Sequence, residues 1–200
     1  MSQAFKTILK PSEGLYKEKG SKFLAYAYPI ADVEDVKPIL ESLKANHPSS
    51  RHVCYAYQIG ADGEEYRAND DGEPSGSAGL PILNQIKSKE VTNTLVAVVR
   101  YFGGTKLGVS GLINAYKEAA KDALDQAKVV EKIMTASITI QFPHSSIGDV
   151  ERLIRQNNWS IRSQSFELDC VWTVEVAVDQ ETEADLLLSR IPEARIISPD

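Results

Sequence analysis

Apolar positions recur along the chain in two periods, and the switches between those periods lay out its elements. The run SKFLAYAYPI (21–30) is rich in aromatic and apolar residues and predicts a strand. Behind it, Asp32 is placed to cap a helix on which Val36, Ile39, Leu40 and Leu43 form one stripe. HVCYAYQIG (52–60) alternates as a second strand, and the turn signal ADG (61–63) leads to a hairpin partner over 65–68. Ser77 is the expected N-cap of a helix running through Lys87, with Leu80, Ile82, Leu83 and Ile86 apolar and Pro81 tolerated in the first turn. NTLVAVVRYFGG (93–104) contains an unbroken apolar run, as a central strand covered on both faces requires, and stops at paired glycines. From Val109 onward, Leu112, Ile113, Tyr116, Ala119, Ala120, Ala123, Leu124 and Ala127 follow helical spacing, opposite Asn114, Lys117, Lys121 and Asp125.

The last third repeats the alternation as strand (134–142), helix (146–158), two strands (159–166 and 170–178), helix (182–191) and strand (194–198). That β-α-β-β-α-β order is the ferredoxin-like arrangement, an antiparallel sheet with two helices on one face. The fold class is therefore α+β, with two domains expected at 1–130 and 131–200 and no linker of any length between them.

Charge narrows the choice of partners. Residues 1–130 carry sixteen Lys plus Arg and sixteen Asp plus Glu; residues 131–200 carry six against twelve, so the whole net charge of −6 sits in the last third. An acidic module repels a phosphate backbone, which disfavours general DNA coating and leaves nucleic acid to a local patch on the first domain. No stretch reads as a transmembrane helix, so no membrane partner is expected. The N-terminus lacks a basic patch followed by an apolar run, which fits a cytoplasmic protein. Cys54 and Cys170 both lie in apolar, strand-like runs and read as buried thiols.

Two glycine-rich segments carry the candidate chemistry. In RYFGGTKLGVSG (100–111), Gly103, Gly104 and Gly108 sit between the central strand and a long helix, flanked by Arg100 and Lys106. Glycines let backbone amides approach a ligand, the helix start adds partial positive charge, and two cations can close around a phosphate or carboxylate. The alternative is a tight strand-to-helix turn and nothing more. Gly108 is followed by Val109, so the nucleotide-hydrolase phosphate loop is not met, and a GxGxxG fingerprint is missing.

The other segment, NDDGEPSGSAG (69–79), packs Asp70, Asp71 and Glu73 beside Ser75 and Ser77. That density suggests a fixed loop holding a cation, pairing with Arg100 or Arg67, or receiving a ligand. One acidic cluster falls short of the converging oxygens a hard cation needs, so no metal and no cofactor is expected. Only His52 among the histidines is placed to reach a site, and a triad of Ser75, His52 and Asp71 lacks the GxSxG context. No catalytic residue is assigned.

DDGEPSGSAGLPIL (70–83) and VVRYFGGTKLGVSGLINAY (98–116), at this spacing, resemble the IMPACT family, including its bacterial YigZ-like members. HVCYAY (52–57) is similar to a third family segment, with Val53 where a polar residue such as asparagine is expected. The resemblance implies an N-terminal domain like the second domain of the fifth small-subunit ribosomal protein and a C-terminal domain like domain V of elongation factor G. It also implies a role around translation, since the eukaryotic relatives restrain the starvation-responsive eIF2α kinase by competing for its ribosome-associated activator. The two-domain form, without the RWD domain of those proteins, resembles the bacterial members.

The expected function is that of a non-enzymatic regulator binding RNA, the ribosome or a ribosomal partner. Arg100, Gly103, Gly104, Lys106 and Gly108 would make the contact, with Lys19 and Lys22 extending the patch. The alternative is an enzyme acting on a small phosphorylated or carboxylated metabolite, with Asp70, Asp71 or Glu73 as base or magnesium ligand.

Overall fold

The computed structural model describes residues 4–197. Contacts divide them into two compact units, Phe5–Lys132 and, together with Ala4, the residues from Ile133 onward.

The first unit is built on a five-stranded sheet. Its strands are β2 (Ser12–Glu18), β3 (Ser21–Pro29), β4 (His52–Ile59), β5 (Glu65–Asn69) and β6 (Thr94–Tyr101), in the order β2-β3-β6-β4-β5 with every neighbouring pair antiparallel. A short ribbon pairs β1 (Ala4–Ile8) with β7 (Val129–Ile133). β6 lies at the centre and is buried from Thr94 through Arg100, as its unbroken apolar run requires. One face, with Val96, Val98, Phe23, Ala25 and Ala56, packs on α2 (Gly79–Ser88) and α3 (Gly108–Gln126). The other face, with Leu95, Ala97 and Val99, packs on α1 (Val36–Asn46).

Small residues set the spacing of these layers. Ala115, Ala119, Ala120 and Ala123 line the buried side of α3, so the helix lies close to the sheet. At Gly14 in β2 a Cβ would overlap the backbone of Ala123, so only glycine fits there. α1 is entered through a 3-10 turn (Val33–Asp35) closed by a reciprocal capping box between Asp32 and Asp35. Three apolar positions depart from the expected stripes. Leu80, Val109 and Ile113 are exposed. Ile113 is rotated by one residue's turn from buried Leu112, and Val109 lies in the first turn of α3, where a cavity rather than the sheet faces it.

The second unit runs β8 (Thr135–Phe142), α4 (Ile147–Asn157), β9 (Ser160–Phe166), β10 (Cys170–Ala177), α5 (Glu181–Leu188) and β11 (Arg195–Ile197). Its sheet has the order β11-β8-β10-β9, antiparallel throughout, which is the ferredoxin-like topology. Alternate residues of β8 and β10, among them Ile140, Phe142, Trp172 and Val174, point to one face and meet Val150, Ile154, Ala184 and Leu188 of the helices. Asn158 closes α4 in the left-handed conformation, φ 55°. No helix of the described residues is long and apolar enough to cross a membrane.

Candidate anion-binding site

The acidic loop is rigid, and its carboxylates are engaged within the protein. Asp70 accepts backbone N–H bonds from Gly76 (2.8 Å), Ala78 (3.0 Å) and Gly79 (2.8 Å), capping α2 from nine residues upstream of its first residue. The expected cap, Ser77, is buried and instead donates to the Pro74 carbonyl (2.6 Å). A serine two residues before the helix is displaced by a full carboxylate that reaches three amides at once. Burial pushes the Asp70 carboxyl upward, but the three amides outweigh it and hold its pKa below the ordinary value.

A carboxyl held low contributes stability that is present above its unfolded pKa and lost as pH falls through the folded one. Asp70→Asn is therefore expected to destabilise the chain by about 1–2 kcal/mol at pH 7. The gap between variant and wild type should narrow below about pH 4, in urea unfolding followed by circular dichroism.

Asp71 accepts from the Val53 backbone N–H (2.7 Å) and pairs with Lys44 (3.5 Å). Its carbonyl lies 2.7 Å from His52 Nδ1. A carbonyl only accepts, so Nδ1 carries the proton and the lone pair of the neutral ring sits on Nε2. Ser75 is exposed.

Glu73 reaches furthest inward. Its Oε1 lies 2.5 Å from Arg100 Nη1 and accepts the Tyr116 hydroxyl at 2.8 Å. Tyr116 in turn is 3.3 Å from Cys54 Sγ. Burial drives both the Cys54 thiol and the Tyr116 hydroxyl well above their ordinary ranges, so Cys54 is an inert buried thiol. Between the two expected partners of the acidic loop, the ion pair is made by Arg100. The guanidinium is also flanked by aromatic rings, with its Cζ 5.5 Å from the Phe23 centroid and 5.7 Å from that of Phe102. Its Nε is buried without a partner. Arg100 is thus a neutralised structural cation with one spare donor, rather than a free clamp.

The glycines of the second loop have separate jobs. A Cβ at Gly103 would overlap the Gly20–Ser21 backbone, so this residue fixes the approach of the β2–β3 turn, which holds Lys19; Lys22 follows in β3, and both lysines are exposed. Gly104 and Gly108 have φ of 89° and 74° with open space where a side chain would be. α3 starts with no side-chain cap and no acid in its first turn, leaving its first amides unclaimed by side chains.

Between the loops lies a cavity of about 460 Å³. Glu73 and Pro74 line it from the acidic loop; Arg100, Phe102, Lys106 and Gly108 line it from the second. Arg51, His52, Leu107, Val109 and Leu112 complete the wall. Lys106 and Arg51 are exposed and make no salt bridge among the described residues. Asp70, Asp71, Ser75, Ser77, Gly103 and Gly104 are absent from the wall; Asp70, Asp71, Ser77 and Gly103 hold the loops through the contacts above. Among the described residues no group of three or more His, Cys, Asp or Glu side chains is placed to hold a metal.

The sequence reading did not select Arg51, Phe102 or Tyr116. Arg51 and His52 join the site because the register pairs His52 with Arg100 across β4 and β6. Phe102 carried one signal, an aromatic residue immediately before paired glycines.

Residues 19–124, just over half of the chain, match the family described as Impact N-terminal domain, and both loops with the cavity fall inside that segment. The chain belongs to the IMPACT family. It is 34% identical over 151 residues to IMPACT family member YigZ of Escherichia coli (strain K12), an alignment covering 74% of each chain. To IMPACT family member YvyE of Bacillus subtilis (strain 168) it is 30% identical over 162 residues, 81% of this chain and 75% of that one. A crystal structure described as that of a hypothetical protein matches all of this chain and 98% of the other, at 28% identity and a TM-score of 0.74. The two-unit α+β architecture is thus shared along its whole length with a solved structure.

Proposed function

We propose that the unit Phe5–Lys132 is a non-enzymatic, translation-associated module that binds RNA, the ribosome or a ribosomal partner at the cavity between its two glycine-rich loops. The observation that carries this reading is the convergence of Lys106 and Arg51, without a salt bridge among the described residues, with the start of α3, which has no side-chain cap, on one concave surface. Cations and helix-start amides together suit phosphate oxygens. The family resemblance supports a role around translation, and a cytoplasmic setting is part of the same proposal. Asp70, Asp71 and Glu73 are occupied by capping and ion pairing, which removes the acid–base groups that the metabolite-enzyme reading relied on.

Titrating the full chain with a short single-stranded RNA, by fluorescence anisotropy from about 50 to 500 mM salt, tests the reading. The logarithm of affinity should fall against the logarithm of salt with a slope of about −0.7 for each phosphate held. A flat line, or no binding at the lowest salt, would overturn it.

A further inference from the structure

We propose that the cavity receives one unpaired nucleotide of an RNA strand, its base inside against Phe102 and its phosphate on Lys106 and the first turn of α3. This deepens the RNA-binding reading and rests on it. A phosphate alone needs a cationic shelf, yet this cavity is about 460 Å³ and much of its wall is apolar, from Pro74, Phe102, Leu107, Val109 and Leu112. A volume of that order suits a small organic group with a few fixed polar contacts.

Phe102 is 48% exposed although it directly follows the buried central strand. Its position is fixed from both sides. Gly103 is held against the β2–β3 turn, and Arg100, whose side chain is only 9% exposed, lies beside the Phe102 ring. A rigid, half-exposed aromatic face is what an unstacked base uses. Polar recognition is available around it. The His52 ring, whose Nδ1 donates to the Asp71 carbonyl, lines the cavity and in its neutral form carries on Nε2 an acceptor for a base amine or a ribose hydroxyl. A base already paired and stacked in a duplex cannot enter such a recess, which makes the site selective for single strands.

The test compares four probes on the full chain at fixed low salt: an eight-nucleotide RNA carrying 2-aminopurine, the same length with abasic positions throughout, the strand annealed to its complement, and free AMP. The single strand should bind at least about tenfold more tightly than the abasic strand, the duplex or AMP, with a change in 2-aminopurine fluorescence. Phe102→Ala should weaken the single strand by about five- to a hundredfold while leaving the abasic strand unchanged, and Phe102→Trp should retain the preference. Equal affinity for intact and abasic strands, still salt-dependent, would sink the base pocket and leave the RNA-binding reading standing. Binding of none of the strands would remove both. AMP binding as tightly as the strand would reassign the cavity to a free nucleotide and overturn the proposal.

Discussion

Glu73→Ala is expected to lower the stability of the first unit by about 3–5 kcal/mol, the largest effect of any single charge removal in the chain. The side chains of Arg100 and Glu73 are 9% and 4% exposed. Removing the carboxylate leaves a largely buried guanidinium without its counter-charge and takes from the buried Tyr116 hydroxyl its one acceptor among the described residues. Intact buried pairs contribute little net stability against an apolar substitute, so the loss measures an uncompensated charge. Combining Glu73→Ala with Arg100→Met should therefore recover part of it. Glu90→Ala, which breaks the exposed pair with Lys6, is the control and should cost less than about 1 kcal/mol. Urea unfolding gives all three values; a loss at Glu73 no greater than at Glu90 would show that the pair is open to solvent.

The second large effect is on binding. Arg51→Glu combined with Lys106→Glu is expected to weaken single-stranded RNA by more than tenfold at about 0.1 M salt and to flatten the salt dependence by about 1.4, or 0.7 per lost contact. Neither residue makes a salt bridge among the described residues and both are exposed, so the unfolding midpoint should stay within the range of ordinary surface changes. This separates it from Glu73→Ala, which acts on folding first. Unchanged affinity and slope in the double variant would place the phosphates elsewhere.

Much of the fold was legible because it depends on local periodicity. The unbroken run of β6 called for cover on both faces, and the alanines of α3 followed one helical face almost to the residue. The element order of the last third was enough to anticipate its topology. The site was legible only in part, because its key contacts are long-range. Asp70 displaces Ser77 as the cap of α2 through a loop that folds back over nine residues, and no nearest-neighbour rule encodes that. The choice of Arg100 over Arg67 as the partner of Glu73 is made by burial at the end of β6, and the recruitment of Arg51 by strand register. The ion pair from the acidic loop to Arg100 brings the two loops together, and the cavity is where Glu73 and Pro74 face Lys106 and Gly108. The acids are engaged within the protein by capping and ion pairing, and Gly103 is fitted against the β2–β3 turn.

The most direct measurement is an amide chemical-shift titration of the isotope-labelled full chain with a short single-stranded RNA. The account predicts that the largest shifts fall on Gly108, Val109 and Ser110 at the start of α3, together with Arg51, Phe102 and Lys106. Shifts confined to the ferredoxin-like unit, or to a groove lined by Lys37, Leu40 and Lys44 of α1 with Arg67 and Asn69 of β5, would contradict it.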